Sequence, residues 1–231
     1  MTERLDFLIF GAHADDAEIG MGGTIAKHAR AGYRIGLCDL TCAEMSSNGT
    51  VETRRVEAEQ AARVLGVAVR DNLGLPDRGL RDEPETIERI VSVIRAYRPR
   101  MVFAPYWEDR HPDHIACSKL VQEAVFNAKL RKYRPDLPAH SVEETLFYFI
   151  NDMVPPDRMI DVSEVYELKR QSLQAYRSQF ERSSGDDRIA TPLNQGYLER
   201  VEARDLLLGQ KRSVPFAEGF VSKLPVMTDL L

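Results

Sequence analysis

The stretch FGAHADDAEIGMGG, residues 10–23, places one histidine and three acidic side chains directly after a short apolar run. The run at residues 5–10 is rich in branched side chains, which predicts a buried strand, and the residues after Gly20 have helical spacing. In an open α/β sheet, the turns at the carboxyl ends of strands bind ligands. The polar residues that share this strand-to-helix turn are His13, Asp15, Asp16 and Glu18.

Strand-like and helix-like segments alternate over the first 130 residues. Besides the opening strand, the pattern predicts strands at 34–41, near 71–75 and at 101–105, and helices up to about residue 32 and at 52–65, 85–97 and 115–130. Such alternation predicts a mainly parallel sheet with right-handed crossovers and helices on both faces. The expected fold is therefore a doubly wound, Rossmann-like α/β domain, whose second helix carries apolar or small residues at Val56, Ala61, Val64 and Leu65.

The pattern loosens from about residue 131, although the chain as a whole is predicted to be one domain, 1–231. We expect a strand at 146–150 and a short strand near 158–162, followed by a helix that Ser163 caps and that runs to about residue 180. A last amphipathic helix is predicted at 197–209, with Gly209 as its C-cap.

Composition excludes several classes of function. The 231 residues carry a formal net charge of -5, which leaves no basic surplus for nucleic acid. We find no stretch long and apolar enough to cross a membrane and no signal peptide, so a cytoplasmic protein with a small-molecule substrate is expected. The three cysteines form no C-x-x-C pair; Cys38 and Cys117 are predicted to pack as small hydrophobic residues, and Cys42 lies in a loop near the expected site.

Two ordinary interpretations compete for the first turn. Gly20, Gly22 and Asp39 have about the spacing of a dinucleotide-binding motif, but three acids would repel a pyrophosphate from the helix N-terminus that normally attracts it. A carboxylate at a helix start is also a common cap. Three acids within four residues, directly after a histidine, exceed what a cap requires. A cation therefore fits this turn better than a phosphate.

A second turn, WEDRHPDH at residues 107–114, again follows an apolar strand and again combines histidine with acid. Its candidate residues are His111, Asp113 and His114, and three of the five histidines in the chain lie in these two turns. Turns at the carboxyl ends of two strands of one parallel sheet can converge on one crevice. The two clusters together predict a single metal site.

The chemistry of the side chains suggests roles within that site. His13, Asp16 and His114 supply two imidazoles and one carboxylate, a ligand set that zinc accepts with a position left open for water and that ferrous iron also accepts. Such a metal lowers the pKa of bound water, and Asp15 is then available as the general base. His111, held by Asp113, is predicted to protonate a leaving amine or to stabilise an oxyanion.

The two motifs, AHADD at 12–16 and HPDH at 111–114, resemble the signatures of the zinc-dependent LmbE-like, or PIG-L-type, N-acetylglucosaminyl deacetylases. The resemblance implies the same ligands and roles. It also implies Arg54 as a substrate-facing cation and Tyr197 as a donor toward the tetrahedral oxyanion. It further implies that residues 131–231 complete the substrate site and the contacts of a homo-oligomer, often a hexamer.

Within that family, the chain most resembles the bacillithiol-biosynthesis branch, which hydrolyses the acetamide of N-acetylglucosaminyl-malate. The likeness extends through SSNGT, PDRGL, QAYRSQF and TPLNQGYLERVEAR. Two departures stand out: Ala14 replaces the usual proline, and Cys42 stands where glutamate is expected. An amidase acting on thiol S-conjugates is the alternative enzyme, and a dinucleotide-binding module is the alternative from another class. Among the arginines, Arg54 is the first candidate for the malate carboxylates, ahead of Arg78 and Arg110.

Overall fold

The computed structural model describes residues 4–181 and 189–225. Within these ranges the seven strands are β1 Phe7–Gly11, β2 Ile35–Thr41, β3 Val69–Leu75, β4 Met101–Pro105, β5 Glu144–Tyr148, β6 Arg158–Asp161 and β7 Ala217–Val221. The α-helices are α1 Asp16–Arg30, α2 Val51–Leu65, α3 Pro84–Tyr97, α4 Pro112–Ala128, α5 Tyr166–Gln174, α6 Arg177–Phe180 and α7 Tyr197–Gln210.

All seven strands form one sheet in the order β3-β2-β1-β4-β5-β7-β6. Strands β1 to β5 run parallel, whereas β7 pairs antiparallel with both β5 and β6. The central strand β1 alternates between two apolar layers, with Phe7 and Ile9 on one face and Leu8 and Phe10 on the other. Helices cover both layers, as a parallel sheet requires. The predicted single α/β domain is confirmed.

The helices are distributed over the two faces of the sheet. Apolar residues of α1, α2, α5 and α7 belong to the first layer, and those of α3 and α4 to the second. Cys38 and Cys117 are buried in the second layer, as expected. The order places β1 beside β4, so the turns that follow these two strands lie next to each other at one edge. No helix in the described ranges is long and apolar enough to cross a membrane.

Several local predictions are wrong. Ser163 does not cap a long helix, because residues Ser163–Val165 form a 3-10 turn and the chain breaks again between α5 and α6. Gly209 is not the C-cap of α7 but its penultimate residue, and the C-cap is Lys211. A Cβ atom on Gly209 would approach the Val214 carbonyl oxygen to 2.5 Å, so close packing requires the glycine. Strand β7 was not predicted.

Helix α1 is broken at Met21, which has φ -151° and ψ 25°. The amides freed by the break, those of Gly23 and Thr24, donate to the Glu218 carboxylate at 2.9 and 2.6 Å. Lys169 also binds this carboxylate at 2.6 Å, and both side chains of that ion pair are fully buried. Buried charges need such complete pairing. A residue near the end of the chain thus caps the second half of the first helix.

Candidate active site and metal centre

The turn between β1 and α1 is held by its own side chains. The Asp16 carboxylate accepts from the His13 amide at 2.9 Å, which folds the turn back on itself. Asp15 has φ 117°, a conformation that side-chain-bearing residues rarely adopt and that indicates local strain. His13, Asp15 and Asp16 are all buried. Strain of this kind persists where the surrounding structure fixes a side chain in one direction.

Glu18, the fourth polar residue of the first motif, points away from this turn. Its carboxylate binds Arg70 at 2.6 Å and the Tyr176 hydroxyl at 2.7 Å. Arg70 also donates to both oxygens of Asp39, at 2.8 and 3.0 Å. Asp39 is therefore already occupied and does not offer the free acid that a dinucleotide ribose requires.

The glycines of the first motif are explained by packing. A Cβ atom on Gly20 would lie 2.1 Å from Cδ2 of Tyr148, and one on Gly23 would lie 2.7 Å from Cβ of Val162. These positions admit no side chain, so the glycines serve the contact of α1 with its neighbours. Together with the occupied Asp39, this counts against the dinucleotide-binding hypothesis.

The turn between β4 and α4 meets the first turn directly. His111 is the N-cap residue of α4, and Pro112 occupies the first helical position, where its missing amide costs nothing. This places His114 one turn into the helix, with its Nε2 atom 3.1 Å from Oδ1 of Asp16. The His13 ring lies 4.9 Å from that of His111 and 5.7 Å from that of His114. The structure thus brings the two predicted clusters together.

The assembled side chains fit a divalent metal ion. His13, His111 and His114 each offer a ligand nitrogen within 4.8 Å of the others. The Asp16 carboxylate lies against two of these rings, since its Oδ2 atom is 3.8 Å from His13 Nδ1. Imidazole and carboxylate donors in this number suit zinc or ferrous iron. The residues named from the sequence, His13, Asp16 and His114, are therefore suitable ligands, and His111 lies beside them.

The electrostatic environment of the centre is strongly negative. Burial alone lowers the pKa of His13, but hydrogen bonds to Asp113 and Asp77 and the charge of Asp16 raise it to about 10. Burial likewise opposes the charged form of His114, whereas the Asp16 and Asp109 carboxylates raise its pKa to about 9. The same field that favours protons on these rings also favours a cation.

Asp15 is paired with Arg54 at the wall of the site. Arg54 Nη2 donates to Asp15 Oδ2 at 2.8 Å and Nε to the Ala14 carbonyl at 2.8 Å, and both side chains are buried. Burial raises the pKa of Asp15 to about 7 against the lowering effect of Arg54. A carboxylate poised near neutral pH suits a general base. The Arg54 Nη1 atom has no partner among the described residues.

His111 is not held by the Asp113 carboxylate, contrary to the sequence-based prediction. That carboxylate accepts from the amide and the guanidinium of Arg78, at 2.8 and 2.9 Å. It is the backbone amide of Asp113 that donates to His111 Nδ1, at 3.2 Å. Burial and the neighbouring His114 and His13 lower the pKa of His111. Its neutral form, with the proton on Nε2, therefore fits the site.

Two aspartates in the site were missed in the sequence. Asp77 lies 3.1 Å from His13 Nε2, and Asp109 lies 3.0 Å from His114 Nδ1. Both belong to quoted stretches, PDRGL and WEDRHPDH. The signal that could have found them is an acid in a turn at the carboxyl end of a strand, the same feature that identified the other ligands.

A cavity of about 440 Å³ opens above these residues. Tyr197, at the start of α7, lines it and donates its hydroxyl to Oδ1 of Asn151 at 3.0 Å. Arg78 and Arg110 are exposed and line the same cavity. Cys42 lies outside it and donates to Asn72. The walls thus come from both halves of the chain and include the predicted Arg54 and Tyr197.

Comparison with known proteins identifies related sequences. A model of the family described as PIG-L, GlcNAc-PI de-N-acetylase, matches residues 8–125. Diacetylchitobiose deacetylase of Thermococcus kodakarensis is 34% identical over 73% of this chain and 67% of its own length. A probable N-acetyl-alpha-D-glucosaminyl L-malate deacetylase of Bacillus subtilis is 27% identical over 75% of this chain and 83% of its own.

Two further relatives cover nearly the whole chain. A crystal structure of a conserved protein from Thermus thermophilus superposes with a TM-score of 0.89 and is 39% identical, covering 97% of each chain. A 4-oxalmesaconate hydratase of Pseudomonas putida is 26% identical over 100% of this chain and 93% of its own length. Similarity to the hydratase shows that one scaffold supports more than one reaction.

Proposed function

The chain belongs to the PIG-L family, and we propose that it hydrolyses the acetamide of an N-acetylglucosaminyl substrate with the help of a divalent metal ion. Zinc is the first candidate for this ion. The observation that carries this proposal is the meeting of the two polar turns, where His114 Nε2 lies 3.1 Å from Asp16 and beside the His13 ring. His13, Asp16 and His114 would hold the ion. Deacetylases among the relatives support the reaction.

The chemistry divides between the ion and the protein. When bound, a zinc ion supplies Lewis acidity that activates water and polarises a carbonyl oxygen. Asp15 takes the proton of the attacking water, because its pKa of about 7 lets it accept a proton near neutral pH. Arg54 holds Asp15 in one position through the 2.8 Å ion pair. As the C–N bond then breaks, Asp15 returns this proton to the departing nitrogen, so that the products are acetate and the free amine of the sugar.

His111 serves as a neutral hydrogen-bond donor to the developing oxyanion. Its Nδ1 atom accepts from the Asp113 amide, so the proton of the neutral ring lies on Nε2. A charged ring would place a second proton against that amide. Preorganised donors of this kind stabilise tetrahedral intermediates. Tyr197 is the second candidate donor; its single hydroxyl proton, which binds Asn151 Oδ1 in the structure, would have to turn from there to the oxyanion.

For the substrate's far end we propose a carboxylate-bearing group such as malate. Arg78 and Arg110 are exposed at the cavity and can present guanidinium groups to carboxylates. Arg54, the first candidate from the sequence, has two of its three nitrogens engaged with Ala14 and Asp15. The malate deacetylase of B. subtilis supports this substrate class, and diacetylchitobiose is the neutral alternative.

The test is a substrate panel on protein of known metal content. Purified chain is stripped with a chelator and reloaded with zinc or ferrous iron. Acetate release is then measured from N-acetylglucosaminyl-malate, diacetylchitobiose and an N-acetylated thiol S-conjugate, with 4-oxalmesaconate hydration as a separate assay. We expect metal-dependent deacetylation, fastest for the malate conjugate. Hydration without deacetylation would refute the proposal, and preference for diacetylchitobiose would refute only the anionic substrate.

A further inference from the structure

The two proposed ligand histidines are turned in opposite ways. His13 directs Nδ1 toward Asp16 Oδ2, 3.8 Å away, and Nε2 toward Asp77. His114 directs Nε2 toward Asp16 Oδ1, 3.1 Å away, and Nδ1 toward Asp109. Each ring therefore has one nitrogen facing Asp16 and the other on a carboxylate outside the ligand set.

These two outer carboxylates are themselves fixed. The side chains of Asp77 and Asp109 are 5% and 2% exposed. Asp77 accepts a further bond from the Met45 amide at 3.0 Å. Asp109 accepts from the His111 amide at 2.8 Å and from Asn151 through both its amide, at 3.0 Å, and its side chain, at 2.8 Å. Buried, multiply bonded acceptors hold a ring more firmly than a single flexible carboxylate.

We propose that Asp77 and Asp109 are positioning residues that fix opposite tautomers of the two ligand histidines, so that His13 presents Nδ1 and His114 presents Nε2 to the same ion. This inference rests on the proposed metal site. A neutral imidazole has one N–H and one lone pair, and a carboxylate can only accept. The N–H therefore points to the aspartate and the lone pair to the metal.

Asp113 competes for the same role at His13 but is less suited to it. Its Oδ2 atom lies 3.5 Å from His13 Nε2, against 3.1 Å for Asp77. Arg78 donates to both oxygens of Asp113 and holds it. His13, Asp77 and Asp113 also lie close enough to ligate an ion themselves. That alternative predicts binding through His13 Nε2, and the experiment separates the two.

The experiment measures zinc affinity by competition with a chromogenic chelator. Asp77→Asn and Asp109→Asn are compared with the wild-type protein and with Asp82→Asn, an exposed aspartate that pairs with Lys119. We expect each of the two variants to bind zinc about 10-fold to 100-fold more weakly. Losses of this size are usual when a carboxylate that hydrogen-bonds a metal-binding histidine is replaced. Asp82→Asn should bind as the wild type does.

The tautomers are read independently from 15N NMR of the imidazole nitrogens in the zinc-loaded wild type. We expect His13 as the Nε2–H form and His114 as the Nδ1–H form. The reverse tautomer at either ring overturns the inference, as do variants that bind zinc as tightly as Asp82→Asn. Loss of zinc in Asp77→Asn with retention in His114→Ala would instead place the ion at Asp77 and Asp113. Failure of the wild type to bind any divalent ion would refute the proposed function itself.

Discussion

Replacing Arg54 by methionine removes the cation beside Asp15 while keeping most of the side-chain volume. Both side chains of the pair are buried, at 7% and 5% exposure, so solvent screening is small. Two unit charges about 4 Å apart interact by about 4 kcal/mol at an effective dielectric constant of about 20. One pKa unit corresponds to about 1.4 kcal/mol, so the full loss is worth about 3 units. Relaxation and water entry reduce this, and we expect the pKa of Asp15 to rise by at least about one unit.

The assay is the pH dependence of kcat/KM for acetate release by the metal-loaded enzyme. A base must be deprotonated to act, so kcat/KM rises with pH through the pKa of Asp15, which burial raises above its ordinary value and the charge of a bound ion lowers. A higher pKa in Arg54→Met moves this acidic limb to higher pH. Arg54→Lys, which keeps a positive charge, should restore much of the normal profile. Arg55→Met is the matched control, since Arg55 is the next residue and pairs on the surface with Glu52 and Glu59.

A different outcome would favour the role expected from the sequence. If Arg54→Met keeps its acidic limb in place and only KM rises, more for N-acetylglucosaminyl-malate than for diacetylchitobiose, then the unpaired Nη1 atom binds the substrate anion. The explanation through Asp15 would then be refuted.

Four further predictions concern single side chains. Asp15→Asn should keep zinc, measured by metal analysis, and lose about 100-fold to 10,000-fold of its activity; near-normal turnover would exclude Asp15 as the base. His114→Ala should lose zinc and activity together, and unchanged zinc content would show that the two turns do not share an ion. His111→Ala should retain zinc and lose about 100-fold to 1,000-fold in kcat, whereas a shift of the basic limb would indicate a charged acid instead of a neutral donor. Gly20→Ala should lower the free energy of unfolding by about 1–3 kcal/mol in urea titration because its Cβ would clash with Tyr148; unchanged stability would show that the helix can shift.

The convergence of the two turns was predictable because it depends on local sequence and on one topological rule. Each polar cluster follows an apolar strand, and parallel strands bring their carboxyl ends to one edge. Because β1 pairs with β4, the carboxyl ends of these two strands are adjacent. His13 and His114, although far apart in the sequence, could therefore be assigned to one site from their residue types and from their positions after two predicted strands.

The partners of those residues were not predictable, because a third segment decides them. The turn after β3 inserts Asp77 beside His13 and Arg78 beside Asp113, and neither contact is visible in local spacing. Sequence proximity suggested instead that Asp113 holds His111. Instead, the Asp113 carboxylate binds Arg78, 35 positions away in the sequence, because a buried carboxylate pairs preferentially with a charged donor that reaches it.

One strand, β7, was missed for a similar reason. Strand β7 is short, and its pattern AEGFV contains a glutamate that would normally face water but that here binds Lys169. Without the knowledge that Glu218 is buried and paired, the segment does not resemble a strand. The oligomer, the compartment and the identity of the metal stay predictions.

The bond between Glu218 and the first helix also has a consequence for synthesis of the protein. Gly23 and its acceptor are 195 positions apart. Ribosomes add about 5–20 residues per second, so about 10–40 s separate the emergence of the two groups. During that interval the Gly23 and Thr24 amides lack the carboxylate that binds them in the folded protein, and Lys169 lacks one of the carboxylates that it contacts among the described residues. Translation that stops before residue 218 therefore yields a nascent chain whose first helix lacks the acceptor of these two amides.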